Sequence, residues 1–212
     1  SREVVMKIAA KHPDMKGIGI MLKEAVGLGL ATPPGLSGFA GSRPSPSPVV
    51  RLFSCTVPKS DLSVNIQINA EQTHSNEVYG ETLDTTAIAR PNEPAAVTAG
   101  EFVEVPLIQL AWGRSGDKGD SANVGVIARR VEYLPYIWAA LDEDALRGAF
   151  GHFAKGRIER FLLPGSNAMN ILMGEALGGG AIRSLRNDPQ GKGYGQLALT
   201  MPVKIPASLL ES

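Results

Sequence analysis

Cysteine is nearly absent. Cys55 is the one thiol among 212 residues, so no disulfide can close within the chain. A cytoplasmic address is the simplest expectation for such a sequence. Cys55 lies in the apolar run 49–57 with no His or Asp constellation beside it, and it reads as packing filler. An excess of charge is missing too: Lys+Arg and Asp+Glu are 21 each, and the formal net charge is +0. That excludes the basic surplus of a typical nucleic-acid binder and gives no attraction to an anionic membrane surface. Long apolar runs are lacking, none approaching the about 18 residues that cross a bilayer. The first residues, Ser1-Arg2-Glu3-Val4-Val5-Met6-Lys7, carry charges where a secretory leader would be apolar. The chain is therefore expected to have neither nucleic acid nor membrane as a partner.

What is present suits a soluble globular protein: 43% hydrophobic and 20% charged residues. The length fits one large domain or two small ones. Residues 2–12 space Val4, Val5, Ile8 and Ala9 for a helix, closed by His12-Pro13. Asp14 is placed to cap a second helix carrying Met15, Ile18, Met21 and Leu22. Residues 27–48 are a Gly/Pro/Ser-rich loop in which Arg43 is an option for an anion. Residues 49–57 and 62–68 read as two strands of a hairpin, the second alternating cleanly and half-buried. Between 72 and 102 the composition turns to Thr, Glu, Asn and Pro, which marks a linker. The expected domains are therefore 1–71 and 103–212.

The second domain reads as a strand over 102–111, a charged loop and a strand over 124–130. A helix pair follows, then a strand over 157–163, a helix over 167–177 and a strand over 196–205. The expected class is α+β, a four-stranded sheet with helices on one face, preceded by a partial α/β region. The charged loop concentrates the chemistry. Residues 114–123, Arg-Ser-Gly-Asp-Lys-Gly-Asp-Ser-Ala-Asn, combine cations, carboxylates, hydroxyls and glycines between two apolar runs. Lys118 flanked by Asp117 and Asp120 offers an ammonium and a general base, so these are the candidate catalytic residues. Arg114, Ser115, Gly116, Gly119 and Asn123 are candidates for binding an anionic substrate. Arg183 and Lys192, from a second basic stretch near glycine runs, join them as phosphate contacts that suit a CoA-type ligand. Asp117, Asp120 and Asn123 also form an oxygen-ligand option for a cation, although no metal is assigned. A self-satisfied polar turn, with Asp side chains capping backbone amides, is the alternative for the same residues.

Arg114-Ser115-Gly116-Asp117-Lys118-Gly119-Asp120, with Asn123-Val124-Gly125-Val126, Leu177-Gly178-Gly179-Gly180, Ser184-Leu185-Arg186 and Gln190-Gly191-Lys192, resembles the acyclic terpene utilisation protein AtuA family. The resemblance covers roughly 102–206. It implies a ferredoxin-like C-terminal domain, with residues 1–71 as the tail of the family's larger N-terminal domain and most of that domain outside this chain. It also implies a role in the catabolism of acyclic terpenoids or branched acyl-CoA compounds. The partner is then a small-molecule substrate of CoA-thioester type. The reaction stays open, with acyl-CoA lyase and hydrolase as the candidates, and no cofactor is assigned. The alternative is a non-catalytic domain that assembles homo-oligomers through its charged loop.

Overall fold

The computed structural model describes residues 4–31, 34–37, 44–50, 53–75, 80 and 83–210. Its contacts divide the chain into two units, residues 51–92 and residues 1–50 with 93–212.

In the larger unit, residues 4–12 form no helix. The apolar stripe expected there is left exposed, Val4 at 88% and Ile8 at 50%. A short isolated helix is marginal in water. The second helix forms as its cap requires: α1 spans Met15–Ala25, and the Asp14 carboxylate accepts the Lys16 amide at 2.9 Å. The single turn α2 spans Leu28–Ala31. Arg43 lies outside the described residues.

The smaller unit corrects the expected hairpin. Residues 53–58 are not a strand, and 51–52 lie outside the described residues. Strand β1 (Val64–Ile68) pairs instead with β2 (Glu71–Ser75) through a turn at Asn69, whose φ is 56°. Asparagine tolerates that left-handed conformation better than most residues. The polar sequence of β2 gives no strand signal, so pairing with β1 was not legible. Val64, Ile66 and Ile68 are exposed rather than half-buried, and Cys55 is exposed rather than packing filler.

The core begins at Leu107 and ends at Ile205. Strand β3 (Phe102–Pro106) stops at a 3-10 turn over Leu107–Gln109 and, among the described residues, pairs only with the last strand, β8 (Pro202–Pro206). Strands β4 (Ala111–Lys118), β5 (Ser121–Ala128), β6 (Ile158–Leu163) and β7 (Ala168–Met173) form one antiparallel sheet in the order β4-β5-β7-β6. Two hairpins thus meet along β5 and β7. Helices α3 (Leu134–Ala140) and α4 (Glu143–Phe150) connect them. Asp142 caps α4 by accepting the Ala145 amide at 2.7 Å.

Alternation along β5 sends Ala122, Val124, Val126 and Ala128 inward. They join Ile137, Leu141, Leu146 and Phe150 of the helical segment in one core. Arg160 of β6 is tolerated near this core because its guanidinium lies over the Trp138 ring and donates to the carbonyls of Trp138 and Leu141. The opposite sheet face carries Trp112, Arg114, Gly116 and Lys118 of β4 in register with Ile127, Gly125, Asn123 and Ser121 of β5. Trp112 is 54% and Ile127 48% exposed there. The class is the expected α+β, a four-stranded sheet with helices on one face, but of the four expected strands only 124–130 and 157–163 belong to that sheet, while 102–111 and 196–205 supply β3 and β8, which pair apart from it.

Besides the charged loop, two further spans differ from the sequence reading. Residues 167–177 hold strand β7, not a helix. Met169, Ile171 and Met173 face inward at a period of two, and Gly165 and Asn167, both at positive φ, turn the chain out of β6. Residues 196–205 split between helix α5 (Tyr194–Leu199) and β8. Among the described residues no helix is long and apolar enough to cross a membrane.

Candidate functional site

The signature is a hairpin rather than a loop. Residues 114–118 belong to β4, 121–123 to β5, and Lys118 pairs with Ser121 across a two-residue turn. Gly119 supplies the positive φ, +67°, that a two-residue hairpin turn needs in first position. Strand alternation then sorts the candidates. Arg114, Gly116 and Lys118 lie on the open face, and Ser115 points into the interior, 7% exposed.

The interior position gives Ser115 a joining role. Its hydroxyl donates to the Lys192 carbonyl at 2.9 Å and accepts the Gly195 amide at 2.8 Å. This fixes the segment before α5 against the middle of β4. Asp188 holds the same segment from its other side. Its two carboxylate oxygens accept the amides of Lys192 at 3.0 Å and Gly193 at 2.7 Å. Lys192 is thereby carried over the edge of β4. A Cβ on Gly116 would lie 3.4 Å from its ammonium.

A cleft of about 280 Å³ results, lined by Arg114, Ser115, Gly116, Asp117, Lys118, Asn123, Gly125 and Lys192. Three cations surround a glycine floor. The Lys118 ammonium donates to the Asp117 carbonyl at 2.9 Å and to Asn123 Oδ1 at 3.3 Å. Asn123 Nδ2 donates in turn to Asn170 Oδ1 at 2.9 Å. Among the described residues the ion pairs are Arg130–Glu132 and Arg157–Glu159, so neither Arg114 nor Lys192 is neutralised by a described carboxylate. Asp117 is the one acidic residue among those lining the cleft, and its carbonyl meets Lys118 there. Such an arrangement can bind an anion by charge-assisted hydrogen bonds.

Asp120 and Arg183 do not line this cleft. Asp120 Oδ1 accepts the amides of Gly179 at 2.7 Å and Leu177 at 3.3 Å, and its carbonyl accepts those of Ala176 and Leu177. Its carboxylate therefore ties the glycine run 178–180 to the hairpin turn. A Cβ on Gly180 would collide with the Gly119 carbonyl oxygen. Gly119 serves the turn itself. Arg183 packs beside Gly179. Arg186 is also internal, donating to the Ala176 and Phe153 carbonyls and to the Tyr194 hydroxyl. Burial raises the Tyr194 phenol above its ordinary value, the nearby Arg186 opposing the shift. The oxygen-ligand option does not assemble either, because Asp120 is engaged by amides and Asn123 Oδ1 by Lys118. Among the described residues no group of three or more His, Cys, Asp or Glu is placed to hold a metal.

Sequence reasoning missed Gly125, Asn170 and Asp188. Gly125 had a signal, since it faces Arg114 once the hairpin register is known. Asn170 was hidden by the helical reading of its strand. Asp188 carries no motif, and its role rests on a local loop conformation with Gly191 at φ +63°. A larger cavity of about 490 Å³ lies between α1 and residues 44–46, lined by apolar and small residues with Lys23 as its one charge. It lacks the convergent polar groups of a reacting site.

Residues 105–204 match the family model of the AtuA ferredoxin-like domain. No curated protein and no solved structure matches the chain.

Proposed function

We propose that this chain, which carries an AtuA ferredoxin-like domain over residues 105–204, binds the anionic part of a CoA-thioester substrate in the β4–β5 cleft. The observation that carries this reading is the convergence of Arg114, Lys118 and Lys192 on a cleft whose floor is Gly116 and Gly125. Glycine removes the side chains that would keep a phosphate from the strand. Guanidinium and ammonium groups supply charge-assisted hydrogen bonds, about twice as strong as neutral ones. Asp117 is assigned the acid/base role, because it is the one acidic residue of the cleft lining. The pathway is the breakdown of acyclic terpenoids or branched acyl-CoA compounds, in the cytoplasm, and the reaction class is an acyl-CoA lyase or hydrolase. Residues 1–71 are read as the tail of an AtuA-type N-terminal domain and 72–102 as a linker. Titration of coenzyme A into wild-type and Arg114→Ala protein tests the reading. A loss of affinity of about tenfold supports it, since one charge-assisted bond is worth about 1.5–3 kcal/mol. Equal affinity would overturn it.

One observation favours a second reading, a domain that assembles homo-oligomers. Trp112, Ile127, Ala168 and Leu163 form one row across the open sheet face, and Leu163 is 44% exposed. A two-fold axis along the strands would set Trp112 over the second copy's Leu163 and Ile127 over its Ala168, large against small. The same operation would set Arg114 at one sheet edge over the second copy's Phe161 at the other, and Gly116 over its Glu159.

A further inference from the structure

The backbone of Lys192 is held at both ends by side chains, those of Ser115 and Asp188. Its carbonyl accepts from Ser115 Oγ, and its amide donates to Asp188 Oδ1. The second oxygen of Asp188 takes the Gly193 amide. The two successive amides that a turn could offer to an anion are thus already spent on Asp188. What the segment has left to offer is the Lys192 ammonium, placed beside Gly116. Gly191 supports this placement. A Cβ there would lie 3.1 Å from Leu177 Cδ2, so the turn is pressed against the core and Asp188 acts on a segment with little other freedom.

We infer that Asp188 is the positioning residue of the cleft: it aims the Lys192 ammonium at the ligand without touching it. The inference rests on the reading of the cleft as an anion site. It makes the affinity contribution of Lys192 depend on a carboxylate four residues away, a group that by charge alone would repel the ligand. Removing that negative charge is therefore expected to weaken anion binding rather than strengthen it.

A double-mutant cycle on the full chain tests this, with coenzyme A as the probe and the unfolding midpoint followed in parallel. In the wild-type background, Asp188→Ala is expected to weaken binding about fivefold. In the Lys192→Ala background the same change is expected to alter it less than twofold, because no ammonium remains to be aimed. Asp188→Asn, which keeps one acceptor oxygen, is expected to fall between. Equal losses in both backgrounds, or tighter binding by Asp188→Ala, would overturn the inference. Unchanged affinity in Lys192→Ala would instead sink the reading of the cleft. Hydrogen exchange at the Lys192 and Gly193 amides then decides the role of Asp188 separately. At least tenfold faster exchange in Asp188→Ala supports the anchor, and unchanged exchange removes it.

Discussion

Ser115 and Lys192, 77 residues apart, are joined by a 2.9 Å hydrogen bond from the serine hydroxyl to the lysine carbonyl. The bond closes one wall of the cleft. It also explains why a serine inside a charged signature is neither exposed nor free to act as a nucleophile. Ser115→Ala would leave the buried Gly195 amide without its acceptor, at a cost of about 1–3 kcal/mol. Denaturant unfolding should show that loss, with coenzyme A affinity reduced alongside it. Full stability in this variant would contradict the joining role.

Asp120 separates structure from chemistry. Asp120→Ala removes the acceptor for the Gly179 and Leu177 amides. It is expected to lower stability by about 1–2 kcal/mol, as lost caps do, while changing coenzyme A affinity less than twofold. Asp117→Asn should do the reverse, keeping the unfolding midpoint and abolishing turnover of an acyl-CoA substrate. Were Asp120→Ala to retain full stability but lose binding, the two aspartates would have to exchange roles.

The class of the second domain was legible, and its central misreading, the strand β7, has one cause. Capping residues Asp14 and Asp142 announce their helices locally, and the apolar alternation of β5 is visible in the sequence. By contrast Met169, Ile171, Leu172 and Met173 satisfy a helical stripe and a strand equally well, and only pairing with β5 and β6 decides between them. The same holds for the site. The hairpin cluster could be found from its charges. Lys192 and Arg183 looked equivalent in sequence, and the nonlocal bonds of Ser115, together with the local ones of Asp188, bring only Lys192 to the cleft.

Tyr194 gives a pH signature. Burial raises its phenol above the ordinary 10.0, so the folded state favours the neutral form. Its contribution to stability is fully present below the unfolded value and is lost as pH rises through the folded one. Ultraviolet titration should show one tyrosine ionising later than the rest, absent in Tyr194→Phe. Simultaneous ionisation of all tyrosines would refute the burial account.

Limited proteolysis tests the domain reading. Every buried apolar side chain among the described residues lies between Leu107 and Ile205. First cuts are expected between 76 and 100, leaving a resistant fragment that begins near residue 101. A chain resistant throughout, or one cut first inside 107–205, would contradict it.

The assembly reading has its own measurement. If the open face pairs with a second copy, Trp112→Glu should convert a dimer to a monomer in light scattering. A wild-type monomer at high protein concentration would dismiss this reading without touching the cleft.

The central claim is that the anion sits between Lys192 and the β4–β5 hairpin. Amide chemical-shift mapping during a coenzyme A titration tests it most directly. The account predicts the largest, saturable shifts at Gly116, Lys118, Gly125 and Lys192. Shifts concentrated at α1 near residues 44–46, or no saturable shift at the hairpin, would contradict it.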